Sequence, residues 1–246
     1  MDKTYTESLS VRSIDCDLYG KMRLDALFAA MQEGGETHAR LLGLSHQALL
    51  DRHLFFVLSR IHVSILNPPR FGQSVRHTTW PGTMNRFFCP RYHVFSLEDG
   101  TPLAAAGALW VVLDTETRRL ISPIQADLRF PDNSDLPAPV ELPNRLPARI
   151  TSTYSVSQRL VQYSDMDLNG HVNNTRYITW LCDQLGKAAF EHRHISSLTA
   201  GYEREIRDEP ELEIHLAQSE SGFSYEVSSA GAVRHFLALG TFSEDA

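Results

Sequence analysis

Two carboxylates, three carboxamides and an imidazole fall within the twelve residues from Tyr163 to Asn174: Asp165, Asp167, Asn169, His171, Asn173 and Asn174. Asp167, Asn169 and His171 alternate, so an extended backbone would aim all three at one side. An amphipathic segment follows at once, with Tyr177, Ile178, Leu181, Leu185 and Ala188 on one helical face. A base, a hydrogen-bond donor and a titratable ring at a helix N-terminus is the equipment of acyl-transfer chemistry. Backbone N–H groups at Asn173 and Asn174 are candidate oxyanion donors, aided by the helix dipole. Each residue also has a plainer use. Asp165 or Asp167 can cap a turn, Asn173 and Asn174 are good N-caps, and a histidine can be merely structural.

The elements that must position these groups come from a repeat. Asp15-Cys16-Asp17-Leu18-Tyr19-Gly20 and Asp165-Met166-Asp167-Leu168-Asn169-Gly170 share four of six residues at an offset of 150. After Gly20 comes a helical pattern with Leu24, Leu27, Phe28, Met31, Leu41 and Leu42, and Gly34 and Gly35 on its apolar face imply a close neighbour. One strand precedes each helix (Thr4–Ile14, Ile150–Gln162). Several follow: Leu54–Leu66, Ser74–Trp80, Phe87–Leu97 and Leu103–Asp114, then Leu198–Arg207, Leu212–Gln218, Phe223–Ser229 and Val233–Phe242. Glu98-Asp99-Gly100 and Ala230-Gly231-Ala232 read as hairpin turns. Prolines 123, 131, 137, 139, 143 and 147 mark a connection that is neither helix nor central strand. A long helix wrapped by an antiparallel sheet, twice over, is an α+β double hotdog. Residues 1–130 form the first repeat, 131–149 the linker, and 150–246 the second repeat carrying the reactive groups.

Composition narrows the class. With 246 residues, 42% hydrophobic and 22% charged, the chain reads as an ordinary globular protein. Its net charge of −7 disfavours nucleic acid. Three widely spaced cysteines argue against a disulfide framework and fit a reducing cytoplasm. No CxxC or HExxH spacing occurs, so a metal site is not expected. The apolar run Leu103–Leu113 is too short to span a bilayer, and the first residues lack a signal-peptide pattern.

The run Tyr163-x-Asp165-x-Asp167-x-Asn169-x-His171-Val172-Asn173-Asn174-x-x-Tyr177 resembles the signature of acyl-(acyl carrier protein) thioesterases. Tyr202-Glu203-Arg204-Glu205-Ile206 is similar to that family's Tyr-Arg-Arg-Glu-Cys segment. The resemblance implies a catalytic network of Asp167, Asn169, His171 and Glu205. Alternation alone leaves Glu203 and Glu205 equivalent; the resemblance selects Glu205. Plant members carry a cysteine where this chain has Ile206, so hydrolysis here must run through carboxylate and water. Plant members also begin with a plastid transit peptide; none is read here, which implies a bacterial-type, cytoplasmic member.

On this reading the substrate is a fatty acyl-acyl carrier protein, released as free fatty acid, and the reaction needs no cofactor or metal. Glu205 activates water, Asp167 and His171 orient it or share its proton, and Asn169 positions the carbonyl or the water. Direct attack by a carboxylate is equally compatible with the residue types. An acidic carrier meeting an acidic enzyme calls for a local Arg/Lys patch at the pocket mouth. The first repeat has Tyr19 for Asn169 and Lys21 for His171, so one site per chain is expected, with the first repeat shaping the acyl pocket. Hydrolysis of acyl-coenzyme A and non-catalytic acyl binding are the competing readings, and the chain is expected as monomer or homodimer.

Overall fold

In the computed structural model, which describes residues 2–147, 154–207, 211–229 and 233–245, the two halves follow the same path. The first half runs β1 (Tyr5–Ser10), α1 (Leu24–Leu41), α2 (His46–Leu50), β2 (Leu54–Ile65), β3 (Ser74–Pro81), β4 (Cys89–Leu97), β5 (Pro102–Asp114) and a short β6 (Leu120–Ile121). The second runs β7 (Ser155–Arg159), α3 (Asn174–Leu185), β8 (Arg193–Tyr202), β9 (Leu212–Gln218), β10 (Gly222–Ser229) and β11 (Val233–Glu244). Among the described residues these strands make one antiparallel sheet in the order β1-β3-β4-β5-β2-β8-β11-β10-β9-β7, with β6 beside β5. The order is symmetric about the β2–β8 pair, which runs from Arg60 opposite Gly201 to Ser64 opposite Ser197. Two hotdog repeats thus share a single sheet.

The helices lie against one face of it because their apolar stripes have nowhere else to go. Leu27, Phe28 and Met31 of α1 and Ile178 and Leu181 of α3 are buried with Phe95, Leu198 and Phe236 of the sheet. Thr179 of α3 donates to Asp25 of α1 at 3.2 Å, joining the two helices. The glycine pair in α1 meets the expectation of a close neighbour. A Cβ on Gly34 would lie 2.5 Å from the His77 ring, so only glycine lets helix and sheet approach this far.

Several boundaries differ from expectation for local reasons. Strand β1 stops at Ser10, and a 3-10 turn, Ser13–Asp15, begins the repeat motif. Helix α3 ends at Leu185 because Gly186 takes φ 75°, so Ala188 belongs to the following 3-10 turn. The expected strand Leu198–Arg207 is shifted: β8 starts at Arg193 and stops at Tyr202. Beyond it the amides of Glu203 and Arg204 both turn to the His235 carbonyl, and Glu205 rides on a loop anchored by the buried Ile206. The hairpin at Glu98-Asp99-Gly100 forms, with Gly100 at φ 90°. That at Ala230-Gly231-Ala232 lies outside the described residues, as do residues 150–153 of the strand expected from Ile150. The proline-rich connection is a packed strap. Val140 and Leu142 cover Gly107 of β5, and Leu146 covers Gly201 of β8, each within 3.3 Å of where a Cβ would stand.

Candidate active site

Asp167, Asn169 and His171 do not lie on an extended segment. The backbone folds back on itself: Gly170 N–H donates to Asp167 O at 3.1 Å, Asp167 N–H donates to His171 O at 2.8 Å, and Gly170 takes φ 69°. Asp167 Oδ1 accepts from the amides of Asn169 (2.8 Å) and His171 (3.2 Å). The three side chains converge on one cleft through a tight turn instead of through strand alternation, because Asn-Gly favours the turn. Asp165 is fully buried beneath it. Its carboxylate accepts from Gln162 N at 2.8 Å, Arg176 Nε at 3.2 Å and Trp180 Nε1 at 3.2 Å, with Arg159 slightly farther. Burial works to raise its pKa, but these donors outweigh it and hold the group below the ordinary range.

The first repeat builds the same frame bond for bond. Gly20 N–H donates to Asp17 O at 3.1 Å, Asp17 N–H to Lys21 O at 2.8 Å, and Asp17 Oδ1 accepts from Tyr19 and Lys21 amides. Met22 N–H donates to Pro69 O, as Val172 N–H donates to Ile206 O. That correspondence puts Pro68 where the second repeat has Glu205. Lys21, in the His171 position, is 3% exposed and is spent on the carbonyls of Phe190 and Arg193 and on Asp245 at 2.7 Å. The turn is a duplicated scaffold; amide, imidazole and glutamate occur together only in the second copy.

The Val172–Ile206 bond, 3.0 Å long, ties the loop after β8 to the turn. It brings Glu205 Oε2 to 3.2 Å from His171 Nε2. The distance suits an ion pair, but the ring nitrogen is buried without an aligned acceptor, so the two groups are juxtaposed and not locked together. Arg118 and Arg207 also contact Oε2 of Glu205. Its hydrogen bonds from Arg118 and Arg207 both fall on Oε2, which leaves Oε1 without a hydrogen bond among the described residues. Burial pulls the His171 pKa below its ordinary value; Glu205 and Asp167 oppose this and Arg207 and Arg118 reinforce it. Glu203 borders the same cleft but is paired with Arg234 at 3.0 Å. Arg118 was not among the residues singled out in the sequence. It sits in a Thr-Glu-Thr-Arg-Arg turn after β5 with φ 58°, a conformation unusual for a side-chain-bearing residue. Only the charge density of that turn hinted at a role.

Asn169 is exposed on the cleft rim, and its carboxamide has no protein partner among the described residues. Asn173 is the N-cap of α3: its Oδ1 accepts from Thr175 N at 2.9 Å. The expected oxyanion role for its own amide fails, because Asn173 N–H already donates to Asp165 O at 2.9 Å. The Asn174 amide, first in the helix, has no intrahelical acceptor, and among the described residues it donates to no other backbone group. Behind the polar rim the cleft encloses about 1130 Å³, walled by Leu44, Leu49, Phe55, Phe56, Leu58 and Trp110 of the first repeat. Among the described residues no cluster of His, Cys, Asp and Glu is placed to hold a metal ion, and no helix is long and apolar enough to cross a membrane.

Comparison with known proteins falls on the whole chain. Residues 2–130 match the family model for the acyl-ACP thioesterase N-terminal domain, and residues 149–236 that for the C-terminal domain. A chloroplastic palmitoyl-acyl carrier protein thioesterase of Cuphea hookeriana is 27% identical over 248 residues, covering 96% of this chain and 59% of that protein. A chloroplastic dodecanoyl-[acyl-carrier-protein] hydrolase of Cinnamomum camphora is 29% identical over 98% of this chain and 65% of its own length. The chain therefore spans about three fifths of the relatives it matches. In fold it is similar to an acyl-ACP thioesterase from Bacteroides thetaiotaomicron, with TM-score 0.88, 24% identity and 98% of each chain covered. It is also similar to the 12:0-ACP thioesterase of Umbellularia californica, with TM-score 0.82, 22% identity and coverage of 100% and 99%.

Proposed function

This chain belongs to the acyl-ACP thioesterase family, and we propose that it hydrolyses the thioester of a fatty acyl-acyl carrier protein at the His171–Glu205 pair. The observation that carries the proposal is the open Glu205 carboxylate oxygen beside a buried imidazole, 3.2 Å across, at the polar mouth of an apolar cleft. The acyl chain enters the cleft, which excludes water and rewards burial of each methylene by about 0.8 kcal/mol. A water on Glu205 Oε1 gives its proton to the carboxylate while its oxygen bonds to the thioester carbon. The carbonyl electrons move onto oxygen, where the Asn174 amide at the start of α3 and the Asn169 carboxamide are within the same rim to receive the charge. Collapse breaks the carbon–sulfur bond, and Glu205 returns the proton to the departing sulfur. A fatty acid and the free thiol of the carrier arm result. Asp167 holds the turn that aims Asn169 and His171, and its charge keeps the imidazole from being pulled down further. The first repeat supplies the acyl wall and no second site.

The test is release of free thiol from one acyl chain carried on acyl carrier protein and on coenzyme A. We expect kcat/KM to favour the carrier protein, and Glu205→Gln to lower kcat by about 10² to 10⁴ at unchanged Tm. Glu203→Gln should stay near the parent. Equal loss in both variants, or tight acyl binding with no thiol released, would overturn the assignment.

A further inference from the structure

One wall of the cleft is neither apolar nor part of the reacting group. Arg91 projects inward from β4, is 7% exposed, and lines the cleft. Its recorded hydrogen bonds both leave from Nη1, to His38 Nδ1 at 3.3 Å and to Thr79 Oγ1 at 3.2 Å. His38 Nε2 donates to the Asp2 carbonyl at 3.2 Å, so Nδ1 carries the lone pair that Arg91 needs. Both partners are neutral. Among the described residues no carboxylate forms an ion pair with this guanidinium, and neither Nε nor Nη2 donates a hydrogen bond to protein. Burial draws its pKa down only to about 10, so the charge survives at neutral pH. Space for it is made by Gly35 of α1, where a Cβ would stand 3.3 Å from Arg91 Cδ. Gln32, one turn earlier on the same helix face, lines the same wall with no hydrogen bond of its own among the described residues.

A largely buried cation without a counter-charge is costly, and at 7% exposure Arg91 keeps contact with water only through the cleft. The two unused donors, Nε–H and Nη2–H, are the edge of a guanidinium that grips a carboxylate through two parallel bonds. We infer that Arg91 forms a carboxylate subsite in the acyl cleft, so that the protein takes acyl chains bearing an ω-carboxylate as well as methyl-terminated ones. The inference rests on the acyl-thioester reading and names a substrate class for it. A chain of the right length places its far carboxylate on a largely buried partner that solvent screens only weakly, and its methylenes along the apolar wall.

The experiment uses the full chain and non-hydrolysable acyl-pantetheine amides, methyl-terminated and ω-carboxylated, over a series of lengths, with binding read by calorimetry. At the matching length the ω-carboxylated amide should bind at least about tenfold tighter than its methyl-terminated twin. Arg91→Met should bring that ratio to unity or below, and Arg91→Lys, which keeps charge but loses the fork, should keep part of it. The wild-type ratio decides the matter even if Arg91→Met fails to fold. A methyl-terminated chain binding tighter at every length, or a preference that survives in Arg91→Met, overturns the subsite. Thiol release from the matching thioesters separates the two proposals. Carboxylate-selective binding without turnover sinks the hydrolase alone, and turnover without selectivity sinks the subsite alone.

Discussion

At the scale of single residues, Asp167 does two jobs that can be pulled apart. Its Oδ1 caps the turn, as Asp17 caps the matching turn in the first repeat, and its charge acts on His171. Asparagine keeps an Oδ1 acceptor and removes the charge. Asp167→Asn should therefore keep the parent Tm yet lose about a hundredfold in kcat, while Asp17→Asn keeps both. Loss of activity in Asp17→Asn, in folded protein, would show that the first turn is not mere scaffold. The sign of the pH effect follows from the same contacts. Burial depresses the His171 pKa and Asp167 opposes that, so in Asp167→Asn the acid limb of residual kcat/KM should move to lower pH. A limb that stays put would mean His171 does not set it.

At the scale of elements, the strands were legible because their apolar runs end where the sheet ends. Leu212–Gln218 matches residue for residue, and Leu54–Leu66 overshoots β2 by one residue. The repeat was legible for the same reason, and the structure duplicates its turn down to individual bonds. What could not be read is non-local. Glu205 meets His171 only because Ile206 O accepts from Val172 N, and Arg118 arrives from a turn 87 residues away. The polar seam between α1 and the first sheet was equally hidden. Glu7 of β1 contacts His77 of β3 at 3.0 Å, His77 contacts His93 of β4 at 3.0 Å, and His38 of α1 faces Arg91. All three histidines are held below their ordinary value, first of all by burial. On acidification the unfolded chain, near 6.5, takes protons before the folded one does. Stability is thus full above that pH and falls below it, by at most about 1.4 kcal/mol per pH unit for each ring. Tm should be flat between about pH 7 and 8 and fall toward about pH 5, and His93→Gln should flatten the fall; an unaltered slope would remove His93 from the account. The buried Asp165 gives a second element-scale contrast. Asp165→Ala strands Arg159, Arg176 and Trp180 and should cost about 3–5 kcal/mol, whereas the partly exposed Asp15 has Arg12 as its side-chain partner and should cost far less when removed, as thermal or urea unfolding will register.

At the scale of the whole molecule, the proposed reaction divides the labour between two duplicated halves. The strap over Gly107 and Gly201 and the continuous β2–β8 pairing make the halves one body, so a cleft can take its apolar wall from one repeat and most of its polar mouth from the other, with Arg118 of the first reaching across. Net charge works against an acidic partner: the chain carries −7 overall. At the cleft this is offset, because Arg118, Arg204 and Arg207 line it beside Asp167, Glu203 and Glu205. Arg118 and Arg207 are engaged with Glu205, but the exposed Arg204 has no ion pair among the described residues. Long-range attraction between such a patch and an acidic carrier is screened over about 8–10 Å at physiological salt. On the carrier-protein substrate KM should therefore climb with ionic strength while kcat holds, and Arg204→Glu should raise KM several-fold and steepen nothing further. A short acyl-pantetheine substrate, which carries no acidic surface, should show neither effect. If salt and Arg204→Glu act equally on both substrates, the arginines serve the site and not the docking of a carrier.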